Sequence, residues 1–194
     1  MSYPNLSALL EAIVYLAREP VSVDAIRKAL PDVDSKEIDR CVQMLIENYQ
    51  SSEHGIEIRE IAGGLRFSTK AEHHETLRAF LQSQAPATRL SLAALETLAV
   101  IAYKQPVTVP EIQEIRGVQA TGVIKTLLDK KLVATAGRKE VLGRPILYKT
   151  TREFLIHFGL KDLSELPSME EFEELIKNQA SSEETVRAEI ELQS

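Results

Sequence analysis

Several residue types are scarce in this chain of 194 residues, and each scarcity excludes a class of protein. Cys41 is the single cysteine, so an intramolecular disulfide framework is excluded and a reducing compartment is favoured. Tryptophan is absent and aromatic residues make up only 5% of the chain, so aliphatic side chains must fill the core. A hydrophobic content of 44% is enough to build one or two small domains from them.

Long apolar segments are also missing. The longest apolar run, residues 92–103, is interrupted by Glu96 and Thr97 and is too short to span a bilayer. Residues 1–10 lack the basic region and apolar run of a signal peptide. We therefore expect a soluble cytoplasmic protein with no membrane contact.

The residue patterns of common catalytic and metal sites are not found. Gly63-Gly64 is not followed by the Lys-Ser or Lys-Thr of a phosphate loop. Among four histidines only His73 and His74 are close in sequence, and adjacent residues point to different faces of a helix. No nucleophile, base and orienting group lie together locally, although residues distant in sequence could still form a triad. The sequence therefore predicts no enzyme, no metal, no cofactor and no small-molecule substrate.

Charge is distributed unevenly along the chain. Residues 168–194 contain eight glutamates against Lys177 and Arg187, a net charge of −6 that equals the net charge of the whole chain. Residues 1–85 have a net charge of −4 and residues 86–167 a net charge of +4. A polyanionic partner would therefore favour the second half.

A pattern of apolar residues and turns occurs twice. Glu19-Pro20-Val21-Ser22-Val23 matches Gln105-Pro106-Val107-Thr108-Val109, with an offset of 86 residues. An apolar helix precedes both motifs, and a second helix, a third helix and a hairpin follow both. Three helices followed by a hairpin are typical of the winged helix-turn-helix.

The repeat predicts an α+β, mainly helical fold with two tandem winged helix-turn-helix domains and an acidic, partly disordered C-terminal tail. We expect domain 1 at residues 1–85, with a fourth helix capped by Thr69 and Glu72. Gln82–Thr88 is the expected linker. Domain 2 is expected at residues 86–167 and the tail at residues 168–194. The tail should have one short helix beginning near Ser168, with disorder after it.

The first helix of the second copy is unusual because apolar residues surround it on nearly all sides between Leu92 and Tyr103. A surface helix of a small domain should have a polar face, and an entirely apolar helix must be covered on more than one side. We therefore expect the other domain or a partner to cover it.

DNA binding is the usual function of winged helices, but the third helices have few suitable residues. In the first copy Asp34, Glu37 and Asp39 would repel phosphate. The second copy offers Gln119, Thr121 and Lys125, and its ribbon adds three bases, Arg138, Lys139 and Arg144. The residue types favour protein interaction and leave a winged-helix DNA-binding regulator as the alternative.

Several stretches of the sequence match one known family. They are Glu11-Ala-Ile13 through Glu19-Pro20, Ile61-Ala-Gly-Gly-Leu-Arg66, Ser91-Leu92 through Ile101-Ala-Tyr-Lys-Gln-Pro-Val107, Glu111-Ile112 through Ile115-Arg-Gly-Val118, Gly143-Arg-Pro145, Tyr148-Lys-Thr-Thr-Arg-Glu-Phe-Leu155, Phe158-Gly-Leu160 and Leu166-Pro167. Through them the chain resembles the segregation and condensation protein B family, the winged-helix subunit of the bacterial condensin complex. Lys131 departs from the family pattern, which usually has glycine there, and Leu65 replaces a usual tyrosine.

The resemblance implies a non-enzymatic structural role in chromosome condensation and segregation during cell division. It implies a homodimer formed through the first domain and a second domain that binds the kleisin subunit, segregation and condensation protein A. The kleisin would connect the chain to the ATPase of the structural-maintenance-of-chromosomes complex, and indirectly to chromosomal DNA. A cytoplasmic protein associated with the nucleoid is expected.

Candidate contact residues follow from the resemblance together with surplus apolar residues. The candidates for the dimer interface are Leu6, Leu10, Val14 and Leu16. The candidates for kleisin binding are Leu98, Ile101, Tyr103, Arg144, Leu160 and Leu163.

Overall fold

Helices and antiparallel strands together form the fold, in agreement with the predicted α+β class. The computed structural model describes residues 5–84, 90–168 and 171. The described residues up to Leu163 form one compact unit, and those from Ser164 form another. The predicted linker continues past the last residue described in the first half, and most of the predicted tail lies outside the described residues.

The first half begins with three helices and a hairpin. The elements are α1 (Leu6–Leu16), α2 (Val23–Ala29), α3 (Ser35–Gln50), β1 (Ile56–Ile61) and β2 (Gly64–Thr69). Each of the three helices begins after a short polar residue whose side chain accepts a hydrogen bond from a backbone N–H in the first turn. These residues are Asn5, Ser22 and Asp34.

Aliphatic side chains from all five elements form the core of the first half. The buried residues are Leu6, Leu10, Val14, Ile26, Leu30, Ile38, Val42, Leu45, Tyr49, Ile58 and Leu65. Cys41 is half-buried against this cluster, as expected for a small apolar side chain.

The fourth helix of the first half differs from the prediction. A 3₁₀ turn (Ala71–His73) with Lys70 at its N-cap precedes α4 (His74–Gln84), so the expected cap by Thr69 and Glu72 is wrong. Phe80 and Leu81 of α4 are exposed. The helix makes its main contacts with the preceding turn.

The second half repeats the order of elements and adds one short strand. Its elements are α5 (Leu92–Lys104), β3 (Val107–Thr108), α6 (Val109–Arg116), α7 (Thr121–Asp129), β4 (Val133–Arg138), β5 (Ile146–Thr150), α8 (Arg152–Phe158) and a 3₁₀ turn (Leu163–Glu165). The strands form an antiparallel sheet in the order β3-β5-β4. In the first half, the equivalent of β3 is a single bridge between Val21 and Leu65.

Helix α5 is covered mainly by elements of its own half. Residues 97–102 of the helix are all buried, and its main contacts are with α6, α7 and β5. The expectation that the other domain or a partner must cover α5 is therefore wrong. Three neighbours in the same half are enough because the helix runs through the centre of that half.

Lys131, where the resemblance implies glycine, lies in the turn between α7 and β4. Its φ is +58°, in the left-handed region that glycine enters without steric cost. Lys131 therefore adopts a backbone conformation that is unfavourable for a residue with a side chain.

The second unit contains the predicted start of a further helix. The Ser168 backbone N–H donates to Glu171 Oε2 at 2.7 Å, and the Glu171 N–H donates to Ser168 Oγ at 3.2 Å. These reciprocal bonds are a capping box. The remainder of the predicted tail helix lies outside the described residues.

Candidate interaction surfaces

The candidate dimer residues occupy two different environments. Leu6, Leu10 and Val14 lie in the core of the first half and offer no surface to a second copy. Leu16 is 81% exposed at the end of α1, and its neighbour Tyr15 is almost as exposed. The part of α1 that could meet a partner is therefore its last turn.

The kleisin candidates divide in the same way. Leu98 and Ile101 are 1% and 0% exposed inside the second domain, and Tyr103 is half-buried. Arg144 is exposed on the ribbon, Leu160 is half-buried and Leu163 is 41% exposed. The exposed candidates therefore lie on the ribbon and after α8, and not on the central helix.

The tip of the β4–β5 ribbon has an ordered backbone and apolar side chains exposed to solvent. The Lys139 N–H donates to the Pro145 carbonyl at 2.9 Å, and the Arg144 N–H donates to the Val141 carbonyl at the same distance. Arg138 Nη1 donates to the Arg144 carbonyl at 3.0 Å. Leu142 is 103% exposed and Val141 about half exposed. An ordered tip that presents leucine to solvent has little conformational entropy to lose when a partner covers it.

A charged contact holds the base of this tip to α6. Lys139 Nζ forms an ion pair with Glu111 Oε1, and Thr108 donates to Glu111 Oε2 from its N–H at 2.8 Å and its hydroxyl at 2.6 Å. The Lys139 ammonium and the Thr108 donors lower the pKa of Glu111 from 4.5 to about 2 because they stabilise its carboxylate. Thr108 and Glu111 form a capping box at the start of α6, and the Glu111 carboxylate also holds the ribbon through Lys139.

A second polar cluster joins α5 to α6. Arg116 Nη2 lies 2.5 Å from Glu96 Oε2, and Arg116 Nη1 donates to Thr97 Oγ1 at 2.7 Å. The Arg116 side chain is only 8% exposed, so its charge needs these acceptors. Glu96 and Thr97 interrupt the apolar run of α5. They therefore stabilise the packing of α6 on α5, because both accept hydrogen bonds from Arg116.

Sequence reasoning missed several exposed apolar residues. Val141 and Leu142 at the ribbon tip were not candidates, and neither were Ile115 and Val118 on either side of Gly117. The available signal was a pair of apolar residues inside a polar hairpin tip, where a core role is unexpected.

The proposed DNA-reading positions of the second half are only partly available. Gln119 Oε1 accepts from Gln113 Nε2 at 2.7 Å, so its amide is engaged within the domain. Lys125 is exposed on α7. In the first half, Asp39 forms an ion pair with Arg27 at 2.6 Å.

The described residues show neither a metal site nor a membrane-spanning helix. No group of three His, Cys, Asp or Glu side chains among the described residues is placed to hold a metal ion. Within the same parts of the chain, every helix is too short or too polar to cross a membrane.

The amino-acid sequence matches known proteins of one family over most of its length. The family model for the segregation and condensation complex subunit ScpB matches residues 8–169. Segregation and condensation protein B of Moorella thermoacetica is 48% identical over 86% of this chain and 84% of its own length. The protein of the same name from Syntrophotalea carbinolica is 45% identical over 93% of this chain and 90% of its own length.

One solved structure is described as a dimer of the ScpB N-terminal domain complexed with a ScpA peptide. It is 25% identical, covers 41% of this chain and 94% of its own, and has a TM-score of 0.37. A TM-score of this size adds nothing to an assignment that rests on sequence. Because the family model and both relatives extend across the two halves described above, the chain belongs to the ScpB family of segregation and condensation complex subunits.

Proposed function

We propose that this chain is a non-enzymatic structural subunit of the bacterial condensin complex, acting in chromosome condensation and segregation during cell division. The observation that carries the proposal is the family match, which includes both halves and not one isolated domain. The chain connects to the ATPase of the complex and to chromosomal DNA through the kleisin. This arrangement makes it cytoplasmic and associated with the nucleoid.

Each half is a winged helix in this proposal, with domains at residues 1–85 and 86–167. Support comes from the repeated order of three helices and an antiparallel hairpin, and from the sheet order β3-β5-β4 in the second half. The ribbon β4–β5 then corresponds to the wing.

The first domain forms the homodimer, with the last turn of α1 at its interface. Tyr15 and Leu16 support this because both are large, apolar and mostly exposed. Light scattering on the full chain tests it, with twice the chain mass expected. Leu16→Glu should shift the mass to that of a monomer, whereas the matched variant Ile115→Glu in the second domain should not. A monomeric parent protein at tens of micromolar would contradict the dimer.

The second domain binds the kleisin through the ribbon tip and the segment after α8. Leu142, Arg144 and Leu163 support this as exposed groups on an ordered surface. Co-purification of the full chain with the kleisin ScpA tests the assignment. Leu142→Glu should reduce binding by more than tenfold, since burial of a leucine side chain in an interface contributes roughly 1.5–3 kcal/mol.

Two controls separate this assignment from its alternatives. Met44→Glu alters another exposed apolar residue, on α3 of the first domain, and should leave co-purification intact. If Tyr15→Glu abolishes co-purification while Leu142→Glu does not, the first domain holds the kleisin and the assignment fails. Strong, salt-dependent DNA binding by the purified chain without the kleisin would favour the DNA-binding regulator instead.

A further inference from the structure

Four of the stretches that carry the family resemblance contact one another at the two ends of α8. Glu19-Pro20 and the turn Ala62-Gly63-Gly64 come from the first half. Arg152 and Gly159-Leu160 come from the two ends of α8 in the second half. Contacts between these stretches join the two halves directly.

The first-half side of this junction is a preformed socket. The Val21 N–H donates to the Leu65 carbonyl at 3.0 Å, and the Leu65 N–H donates to the Val21 carbonyl at 2.8 Å. These bonds press the chain at Pro20 against Gly64, where an added Cβ would lie 2.6 Å from the Pro20 carbonyl carbon. Gly64 is therefore required for a close approach that fixes the Pro20 carbonyl in space.

The start of α8 docks into this socket. Arg152 Nη1 donates to Glu19 Oε2 at 2.8 Å, and Arg152 Nη2 donates to the Pro20 carbonyl at 3.2 Å. The guanidinium thus uses two of its donors on two acceptors of adjacent residues. A planar group bound at two points has a defined orientation, which a single ammonium contact would not provide.

The end of α8 docks on the tip of the first hairpin. Gly159 has a φ of +67° and turns the chain out of the helix. The Leu160 carbonyl then accepts from the Ala62 N–H at 2.9 Å, and Lys161 Nζ lies 2.9 Å from Glu60 Oε2. From Arg152 to Phe158 the helical rise gives a length of roughly 9 Å. Contacts at the two ends of one helix restrict both its position and its direction.

We propose that α8 is a docking helix that holds the second domain at one fixed orientation on the first, with Arg152 and Lys161 as positioning residues. Both ion pairs are substantially exposed, so salt screens them and each alone contributes little. The junction therefore acts as a latch: the two domains separate when salt or a charge substitution weakens both ion pairs. Any partner that touches both domains meets them at an angle set by this latch.

The test measures the distance between the two domains in the full chain. After Cys41→Ser, cysteines replace the exposed residues Glu47 on α3 and Lys125 on α7, and spin labels on them report the distance distribution. The parent protein should give one narrow distribution. Arg152→Glu combined with Lys161→Glu should widen it, because both contacts become repulsive.

Charge reversal on the opposite side provides the rescue. Adding Glu19→Arg and Glu60→Lys to that double variant restores both ion pairs and should narrow the distribution again. A merely structural effect of the substitutions would not be reversed in this way. Arg27→Glu is the matched control, since Arg27 forms its ion pairs with Asp24 and Asp39 of the first domain, and it should leave the distribution unchanged.

A salt titration of the labelled parent gives a second readout that needs no charge substitution. Raising the salt from 0.1 M to 1 M shortens the Debye length from about 10 Å to about 3 Å and should widen the distribution. A parent distribution that is broad at low salt would overturn the proposal. So would a distribution that stays narrow in the double variant, or one that the opposite charges fail to narrow.

Discussion

The two hairpins of the repeat occupy matching positions but have different surroundings at their tips. In the first half, β1 and β2 are joined by the tight turn at Ala62 and Gly63, and the Ala62 N–H is bonded to Leu160 of the second half. In the second half, residues 139–145 form a longer tip, with Leu142 fully exposed. The first tip is thus used inside the chain, and the second is available to a partner.

This difference shows how one supersecondary unit can serve two purposes. The strand pairing and the apolar core are similar in both halves, but the length and residues of the tip decide what it contacts. The first tip is too short to present a side chain beyond the backbone. The second presents two apolar residues on a backbone that Glu111 and Lys139 hold in place.

The largest expected loss of stability comes from truncating a core leucine, and truncating the leucine at the ribbon tip provides the comparison. Leu98→Ala should lower the free energy of unfolding of the second domain by about 3 kcal/mol, because Leu98 is fully buried and a cavity remains. Leu142→Ala should change it by less than about 0.5 kcal/mol. Thermal or urea unfolding followed by circular dichroism measures both, and equal losses would show that the tip is part of a core.

A smaller effect is expected at the two glycines of the first hairpin. Gly64→Ala places a methyl group 2.6 Å from the Pro20 carbonyl carbon, and the forced shift should cost about 2 kcal/mol. Gly63→Ala has open space around it but a φ of +73°, so its cost should be only about 1 kcal/mol. The two variants are compared by the midpoints of their urea unfolding curves, measured on the full chain. Equal midpoints would mean that the backbone at Pro20 moves away from the added methyl group at little cost.

The capping carboxylate of the second half gives a pH-dependent prediction. The pKa of Glu111 is lowered from 4.5 to about 2, so its contribution to stability is present above pH 4.5 and is lost as the pH falls towards 2. Glu111 is 37% exposed, and solvent screening reduces the contribution to about 1 kcal/mol. The difference in unfolding free energy between the parent and Glu111→Gln should therefore be near 1 kcal/mol at pH 7. It should narrow steadily below pH 4.5, and a constant difference would contradict the assignment.

The smallest expected effect concerns the acidic end of the chain. Residues after Asn178 are polar and acidic, with too few apolar side chains to offset the entropy of ordering. Truncation after Asn178 should leave dimerisation and kleisin co-purification unchanged. Loss of either would make the tail an interaction element in its own right.

Local chemistry made several features predictable. Ser22 and Thr108 cap the helices that follow the two repeat motifs, and Gly117 and Gly159 end helices with positive φ. These features depend on residues within one turn of each other, so the sequence alone was sufficient. At α8 the hydroxyl oxygen of Thr151 accepts from the Phe154 N–H in the same way.

The sequence by itself determined the order of helices and hairpins, the aliphatic cores and the family, because periodicity, caps and motifs are local. Only the tertiary structure decided which apolar residues remain outside. Helix α5 had too many apolar residues for a surface helix, yet α6, α7 and β5 cover it completely enough to bury Leu98 and Ile101. The tertiary structure likewise decided that Arg152 meets Glu19, across 133 residues. Burial and long-range pairing depend on how elements distant in sequence pack together, and no local pattern records that.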